Sequence, residues 1–224
     1  MLTKAEEKRI KSLHKKKGRR EHRRCLVEGV KLIESARDYV ETTFSPKDSL
    51  KFDKLVTTES PQEVAAVARI PEKNLEDIEL ADVVVILDHV QDPGNVGTIL
   101  RSCLGFQGSL ILIESADPTS AKVIRSSAGA MFHVPWIELS EDEASTWLEK
   151  TKRTIYRLER RDDSIDYQKM DQGPIVIIAG SEGSGITLKS DAPSVMINHS
   201  ERLESLNVAQ AVTIVLASHA VHTS

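Results

Sequence analysis

From residue 82 onwards, short apolar runs alternate with helical segments, and this alternation limits the possible folds more than any other feature of the chain. The apolar runs are VVVIL, LILI, VPWIEL, TIYRL, PIVIIAG and SVMI. The helical segments are NVGTILRSCLGF, TSAKVIRSSAGA, EDEASTWLEKTK and NVAQAVTIVLASHA. Continuous β-branched runs that alternate with helices are typical of a parallel sheet covered on both faces. The sequence therefore predicts an α/β fold with a mostly parallel sheet over residues 77–224.

The first 76 residues show a different pattern and predict a separate, small α/β domain. A helix is expected over residues 4–17, ending at Gly18, followed by a strand at RCLVEG and a helix at VKLIESARD. The segments YVETTF and DKLVTT predict two further strands, and a short helix is expected near SPQEVAAVA, with Pro61 in its first turn. The polar segment RIPEKNLED contains a proline and is the expected linker between the two domains.

Charge is distributed unevenly along the chain. The net charge is −4, yet residues 1–24 contain eleven Lys and Arg against three Glu, so the remaining residues are strongly acidic. A basic segment on an acidic protein suggests a polyanionic partner, although a solvated helix face is the simpler alternative. Ile10 and Leu13 are three residues apart, which fits a helix that docks by one narrow apolar stripe and leaves its basic face free for phosphates.

Several classes of protein and site are disfavoured by the sequence. No apolar run is long enough to span a membrane, and the charged N-terminus does not resemble a secretory signal. Cys25 and Cys103 lack metal-ligand spacing, the histidines are scattered, and we expect reduced thiols in a cytoplasmic protein without a metal site. No strand is followed by G-x-G-x-x-G, GSEGSGI lacks the Lys-Ser/Thr of a P-loop, and no G-x-S-x-G elbow is present.

Three corners marked by glycine or asparagine follow three of the predicted strands. They are DPGNVGTILR, IIAGSEGSGI and HSERLESLNVAQA. Ligands of open α/β sheets bind beyond the carboxyl ends of the strands, so the three corners are expected to form one pocket. In the first corner, the helical stripe of Val96, Ile99, Leu100, Cys103 and Leu104 leaves Arg101 off the apolar face, as a surface residue or a site residue.

These corners carry a family resemblance. The segments LDHVQDPGNVGTILRSCLGFQ, IVIIAGSEGSGI and RLESLNVAQAVTIVLA resemble, in order and spacing, the three motifs of the SpoU/TrmH family of RNA 2′-O-ribose methyltransferases in the SPOUT superfamily. SSAGAMFHVPW resembles the segment between the first and second motifs, and the match covers about residues 82–219. KKKGRREHRRCLVEGVKLIESA and TTESPQEVAAVA resemble parts of the small substrate-binding domain that precedes the catalytic domain in many members.

The resemblance implies a function, a cofactor and an assembly. The methyl donor would be S-adenosylmethionine, the C-terminal domain would form a deep trefoil knot, and the active sites would lie at the interface of a homodimer. The substrate would be ribosomal RNA, with transfer RNA as the second choice, and the N-terminal domain would bind the RNA. The alternative from another class is a non-catalytic RNA-binding or ribosome-assembly protein with a SPOUT fold. Methyl transfer to a base is a third possibility, which the NVGTILR and SLNV signatures disfavour.

The resemblance also assigns site residues. The catalytic set consists of Arg101, Asn95, Glu182, Ser205 and Asn207, in which we expect Arg101 to act electrostatically because a free arginine stays protonated near neutral pH. The main chain near Gly180, Ile197 and Leu206 would hold the adenosine, and Gly180, Gly183 and Gly185 would allow close backbone approach. The candidate RNA-binding residues are Lys15, Lys16, Lys17, Arg19, Arg20 and Arg23.

Simpler interpretations of some of these residues stay open, and the motifs depart from the family pattern in places. Asn207 would also serve as the N-cap of the last helix, and Ile197 and Leu206 would also fit plain core packing. The family usually has Asn at the position of Ser181 and often has Ser at the position of Ala209. Its common IPM is replaced here by Ile197, Asn198 and His199.

Overall fold

A computed structural model describes residues 1–58, 62–200 and 202–223, and the chain divides into two compact units. The N-terminal unit consists of Met1–Glu72 and Asp117–His133, and the C-terminal unit consists of Lys73–Ala116 and Val134–Ser224. Residues 117–133 therefore join the N-terminal unit, whereas the sequence pattern grouped them with residues 77–224. The assignment of RNA binding to residues 1–76 and of methyl transfer to residues 77–224 stays a prediction.

The N-terminal unit is built on a three-stranded antiparallel sheet in the order β1-β3-β2. Its strands are β1 Arg24–Glu28, β2 Val40–Phe44 and β3 Ala65–Arg69. Its helices are α1 Lys4–Ser12, α2 Lys16–His22, α3 Val30–Ser35, α4 Phe52–Leu55 and α7 Ala121–Ser126, with a 3₁₀ turn at Ala130–Phe132. Ile10 and Leu13 are buried in its core beside Phe44 and Phe52, as the narrow apolar stripe predicts.

Three predictions for this unit were wrong. The helix expected over residues 4–17 is divided into α1 and α2, and Gly18 lies inside α2, where a Cβ atom would overlap the main-chain carbonyl of Ser12. DKLVTT contributes to α4 rather than to a strand. The expected helix near SPQEVAAVA is instead strand β3, because hydrogen bonds to strands on both sides outweigh the helix propensity of its alanines. Pro61 lies outside the described residues.

The C-terminal unit has a seven-stranded sheet in the order β6-β5-β4-β9-β7-β10-β8, and every ladder is parallel. Its strands are β4 Val83–Asp88, β5 Ser109–Ile113, β6 Trp136–Glu138, β7 Thr154–Leu158, β8 Ile165–Asp166, β9 Ile175–Gly180 and β10 Ser194–Met196. Its helices are α5 Leu75–Glu79, α6 Pro93–Gly105, α8 Glu141–Lys150 and α9 Val208–Thr223, with a 3₁₀ turn at Tyr167–Lys169. The predicted α/β class with a mostly parallel sheet is confirmed. Strand β8 was missed, since two residues carry no readable alternation.

The order of the strands places two of the motif corners side by side. The chain leaves β4 through α6 to reach β5 on one side, while β9 pairs with the other side of β4, with Asp88 opposite Gly180. Such a reversal of strand order leaves a crevice at the carboxyl ends of the two strands. The first and second motif corners therefore begin at adjacent positions.

Helix α6 is held against the sheet and against α9. Val96, Ile99, Leu100 and Cys103 are fully buried, whereas Leu104 is 45% exposed, so the predicted stripe is one residue too wide. Leu104 is the member of the stripe nearest to Arg101 around the helix. The hydroxyls of Ser102 and Thr213 are 2.6 Å apart and join α6 to α9. This contact fixes the helix that carries Asn95 and Arg101.

Both cysteines are buried free thiols, and burial raises the pKa of each to about 12. Cys25 and Cys103 are therefore packing residues. Among the described residues, no helix is both long and apolar enough to cross a membrane. Within the same residues, no group of three or more His, Cys, Asp or Glu side chains is arranged to hold a metal ion.

Candidate active site

The first motif corner positions Asn95 at the beginning of α6. Asp92 caps the helix, and its carboxylate accepts a hydrogen bond from the main-chain N–H of Asn95 at 2.8 Å. Pro93 occupies the first turn of the helix, where its fixed φ is favourable and no N–H is needed. The DPGN sequence thus sets both the start of the helix and the place of the Asn95 side chain.

Three side chains, one from each motif, form a hydrogen-bonded cluster that we call the Asn-Glu-Asn cluster: Asn95, Glu182 and Asn207. The Nδ2 atom of Asn207 donates to Asn95 Oδ1 at 2.9 Å and to Glu182 Oε1 at 3.0 Å. Asn95 Nδ2 lies 3.5 Å from the same Glu182 oxygen, at the limit of a hydrogen bond. The prediction that the three corners converge is met by these side chains.

Asn207 caps helix α9 and also belongs to the Asn-Glu-Asn cluster. Its Oδ1 atom accepts from the main-chain N–H groups of Ala209 at 3.0 Å and Gln210 at 3.4 Å, which caps α9. Its amide nitrogen is then committed to Asn95 and Glu182. Aspartate or serine would also cap the helix, but neither has an amide nitrogen that can donate to both Asn95 and Glu182. An asparagine is therefore required by the cluster and not by the cap.

Two of the glycines of the second corner are required by the backbone conformation of the loop. A Cβ atom on Gly180 would overlap the main chain of Gly185 and Ile186, and Gly185 has φ +66°, which favours glycine. The loop closes through a bridge in which Gly185 N–H donates to the Ser181 carbonyl at 3.0 Å. Gly183 has open space around it. The tight turn carries Glu182 at its tip.

Asp88 holds this loop in place from the end of β4. Its carboxylate is fully buried and accepts hydrogen bonds from the main-chain N–H groups of Thr187 and Leu188 and from the Thr187 hydroxyl. It also lies 2.6 Å from Nδ1 of His89, whose φ is +59°. Burial by itself would raise the pKa of Asp88, but the hydrogen bonds from His89, Leu188 and Thr187 outweigh it and lower the pKa. The hydrogen bond to Asp88 raises the pKa of His89.

Replacing Asp88 by asparagine should destabilise the C-terminal unit by about 1–3 kcal/mol, because several donors lose a charged acceptor. The lowered pKa of Asp88 means that its contribution is lost as the pH falls through that pKa. The raised pKa of His89 means that its contribution is lost as the pH rises through that pKa. The difference between the variant and the wild type should thus be largest between about pH 4 and pH 6.5. Urea unfolding across this range measures it, and a difference independent of pH would contradict the assignment.

A pocket lies beyond the carboxyl ends of β7 and β10, with an empty volume of about 460 Å³ including its open mouth. Its apolar wall includes Leu158, Val195, Ile197 and Leu206, and its polar wall includes Glu159, Arg160, His199, Glu204 and Ser205. An apolar slot with a few polar groups suits a heteroaromatic ligand that carries polar substituents. Ile197 and Leu206 line this pocket, whereas Gly180, Gly183 and Gly185 do not. Of the three motif corners, only the third contributes to its wall, so the prediction of one pocket formed by all three was wrong.

A buried arginine ties the wall of this pocket to the glycine loop. Arg157 donates from Nε to Glu159 Oε1 at 2.7 Å and from Nη1 to the Leu188 carbonyl at 2.9 Å. Its Nη2 atom is 3.4 Å from the carbonyl of Ile186. Burial would raise the pKa of Glu159, but the hydrogen bond and charge of Arg157 outweigh it and lower the pKa, so the carboxylate is ionised.

The remaining predicted residues lie apart from the Asn-Glu-Asn cluster. Arg101 is exposed on α6 and makes no hydrogen bond or ion pair with any residue that the structure describes. Ser205 lines the pocket and is likewise not bonded to the cluster within the described ranges. Within the described residues, no hydrogen bond joins the cluster to Arg101.

The predicted RNA-binding residues divide into two groups. Lys15, Lys16, Lys17, Arg20 and Arg23 are exposed in the N-terminal unit. Arg19 is buried, and it binds Asp117 at 2.6 Å, Thr119 Oγ1 at 3.0 Å and the Leu13 carbonyl at 2.8 Å. The structure contradicts its assignment to RNA, because its guanidinium is buried and each of its three nitrogens is bonded inside the unit.

Sequence reasoning missed one side of the pocket. Leu158 is the last residue of the predicted strand TIYRL, and Glu159 and Arg160 follow it, but only the corners with glycine or asparagine were considered as sites. The charged ERR sequence at the end of a buried strand was the available signal. His199 and Glu204 were inside a recognised corner and were not singled out for contact with a ligand.

Family models match both the region that holds the Asn-Glu-Asn cluster and the pocket, and a segment of the N-terminal unit. The model of the SpoU rRNA methylase family matches residues 82–217. The chain belongs to the SpoU rRNA methylase family. The matched residues contain all members of the Asn-Glu-Asn cluster and the pocket, and the predicted SpoU/TrmH membership is confirmed. A second model, for an MRM3-like substrate binding domain, matches residues 5–47.

Relatives and solved structures match this chain over nearly its whole length. A 23S rRNA (guanosine(2553)-2′-O)-methyltransferase of Bacillus subtilis is 29% identical, over 92% of this chain and 92% of the relative. An AdoMet-bound rRNA methyltransferase from Sinorhizobium meliloti superposes with TM-score 0.85 at 27% identity, covering 100% of this chain and 97% of that one. The SpoU methyltransferase AviRb from Streptomyces viridochromogenes, in complex with AdoMet, gives TM-score 0.80 at 27% identity, with 98% of each chain covered.

Proposed function

We propose that this protein is an S-adenosylmethionine-dependent RNA 2′-O-ribose methyltransferase whose substrate is ribosomal RNA. The observation that carries the proposal is the Asn-Glu-Asn cluster, in which one side chain from each SpoU motif meets the other two. The named activities of the Bacillus subtilis and Streptomyces viridochromogenes relatives are 2′-O-methylations of 23S rRNA, which supports the choice of substrate.

The pocket fits the proposed cofactor. Its apolar wall suits an adenine ring, and its carboxylates suit the positive charges of the methionyl part. Nε2 of His199 is buried and has no hydrogen-bond partner among the described residues, as expected of a pocket that takes a polar ligand. The main chain at Ile197 and Leu206 would hold the adenosine. When bound, S-adenosylmethionine supplies a methyl group on a sulfonium that is already an activated electrophile.

Arg101 is proposed to provide positive charge at the reacting ribose. An arginine stays charged near neutral pH, so it acts by binding a phosphate or by stabilising the negative charge that develops on the 2′-oxygen. The absence of an internal partner among the described residues leaves its donors available to RNA. Its place on α6, which is fixed to α9 by Ser102 and Thr213, limits where the guanidinium can reach.

The Asn-Glu-Asn cluster is proposed to orient the ribose. Glu182 uses Oε1 for both asparagines, and its second carboxylate oxygen accepts no hydrogen bond from the described residues. That oxygen can accept a hydrogen bond from a ribose hydroxyl. Because Asn207 is held by α9 and Asn95 by α6, the carboxylate is aimed before the substrate arrives. Ser205, on the pocket wall, would add a hydroxyl at the edge of the same site.

Assembly and topology are also proposed. Helix α9 follows β10 and packs on α6, and Asn207 at its start reaches the first two motifs, which supports a knotted C-terminal segment. The half-buried Thr213, Ile214 and Ala217 on a helix already buried on its other side support a homodimer through α9.

A second group of observations concerns the partner and the location. The exposed cations of the N-terminal unit support RNA binding by that unit. An RNA substrate of this class, together with the buried free thiols, supports a cytoplasmic location.

The proposal is tested by transfer of tritium from labelled S-adenosylmethionine to unmodified RNA, with ribosomal and transfer fractions kept separate. We expect label in the ribosomal fraction, recovered as a single alkali-resistant dinucleotide, because a 2′-O-methyl group blocks cleavage of the next bond. Lys150→Ala, an exposed change on α8, should match the wild type. Label on a base would overturn the ribose assignment. Absence of label together with absence of cofactor binding would favour the non-catalytic alternative.

A further inference from the structure

His199 is the one residue of the pocket wall whose tautomer is fixed by the structure while a ring nitrogen remains without a partner among the described residues. Its Nδ1 atom lies 2.8 Å from the main-chain carbonyl of Ile197. A carbonyl only accepts hydrogen bonds, so Nδ1 carries the proton and donates. With the proton on Nδ1, the uncharged form of the ring has its lone pair at Nε2.

That lone pair is enclosed. Nε2 is buried, and no residue in the described ranges donates to it. A buried acceptor without a donor is destabilising, and the great majority of such atoms in folded proteins are paired. Since His199 lines the pocket, the group that enters the pocket is the natural source of the missing donor.

The charges around the pocket indicate which part of the cofactor supplies this donor. Glu159 and Glu204 lie in the same wall, and the lowered pKa of Glu159 keeps it ionised. Carboxylates are the better partners for the ammonium and sulfonium of the methionyl part. A neutral imidazole acceptor instead suits a neutral N–H or O–H donor, and the adenosine part offers its exocyclic amine and its ribose hydroxyls.

We propose that His199 accepts a hydrogen bond through Nε2 from the adenosine part of the cofactor, and so contributes directly to cofactor affinity. This inference rests on the proposed function and adds a side-chain contact to the main-chain contacts at Ile197 and Leu206. It gives a specific role to the histidine that replaces the methionine commonly found in this motif.

The test compares binding by wild type, His199→Met and His199→Gln, measured by calorimetry on the full chain. The probes are S-adenosylhomocysteine and 5′-methylthioadenosine, which keeps the adenosine but lacks the amino acid. Methionine fills similar space without an acceptor of comparable strength, so both probes should bind about tenfold more weakly. Glutamine keeps an acceptor oxygen and should recover part of the affinity. His133→Met, in the N-terminal unit, should bind both probes as the wild type does.

A second readout does not depend on the variants folding well. In wild-type protein labelled with ¹⁵N at histidine, the Nε2 resonance of His199 should move when 5′-methylthioadenosine is added. 5′-Methylthioinosine, which lacks the exocyclic amine, separates the two donors, since loss of the response assigns the amine and its retention assigns a ribose hydroxyl.

The outcomes separate this inference from the proposed function. If wild type and His199→Met bind both probes equally, or if only S-adenosylhomocysteine is affected, the adenosine contact is wrong while the cofactor site stands. An Nε2 resonance that does not move on adding 5′-methylthioadenosine also overturns it. If the wild type binds neither probe, the proposed function itself fails.

Discussion

Replacing Arg101 by alanine should lower the rate of methyl transfer by about 10²- to 10³-fold, the usual cost of removing a charge-stabilising donor from a site. Arg101 makes no bond to the described residues, so its loss should leave the fold intact. Binding of S-adenosylhomocysteine should be unchanged, because Arg101 does not line the pocket. Single-turnover transfer of labelled methyl groups to ribosomal RNA measures the rate, and calorimetry measures binding of S-adenosylhomocysteine.

Two further variants sharpen this result. Arg101→Lys keeps the charge but loses the planar set of donors, so it should recover only part of the rate if two donors are used. Lys150→Ala removes an exposed cation elsewhere in the C-terminal unit and should have the wild-type rate. Wild-type turnover by Arg101→Ala would show that the electrostatic role is wrong.

The second large effect is on stability. Arg19→Met should destabilise the N-terminal unit by about 3–5 kcal/mol, because it leaves the largely buried carboxylate of Asp117 without its cation. Asp117 also accepts hydrogen bonds from Thr119, at 2.8 Å to the main-chain N–H and 2.6 Å to the hydroxyl. The remaining bonds would stay in place but would hold an uncompensated charge. Urea unfolding, followed by circular dichroism, measures the loss.

A matched pair of changes distinguishes this structural arginine from its neighbours. Lys17→Met, two residues earlier and exposed, should weaken RNA binding and leave the unfolding free energy within about 0.5 kcal/mol. Arg19→Met with Asp117→Asn should be more stable than Arg19→Met alone, because the buried charge is removed. Burial opposes the lowered pKa of Asp117, but the bonds from Thr119 and Arg19 dominate, so the stabilisation by the pair should be lost as the pH falls. Equal stability of the single and double variants would contradict the charge argument.

The sequence was sufficient to predict what repeats along the chain or depends on a motif. Buried β-branched runs predict six of the strands of the C-terminal unit, because a strand covered on both faces has a simple pattern. The motif corners predict that the three segments converge, since parallel strands bring their carboxyl ends to one edge, and the family resemblance supplies the members of the cluster. Asn207 shows why a simple interpretation and a functional one need not compete, as cap and cluster use different atoms of one amide.

What could not be predicted depends on contacts between distant segments. Arg19 looks like any other cation of its basic run, and only Asp117, far along the chain, makes it structural. The alanine-rich β3 has helical composition, but its place between two strands decides its conformation. The pocket wall at Glu159 depends on Arg157, whose three bonds reach residues 159, 186 and 188. Such pairings leave no local periodicity in the sequence.

Residues 117–133 also determine how this protein can be divided. The polypeptide passes from one unit to the other three times, and the excursion at residues 117–133 brings Asp117 to Arg19 and Arg125 to the buried Glu28. A fragment that stops at residue 72 would lack the partners of both buried charges. A chimaera that exchanges the first 72 residues as one block would separate Arg19 from Asp117 and Glu28 from Arg125. The N-terminal unit is therefore transferable only as two segments moved together, which restricts the chimaeras that engineering or gene fusion can produce from this chain.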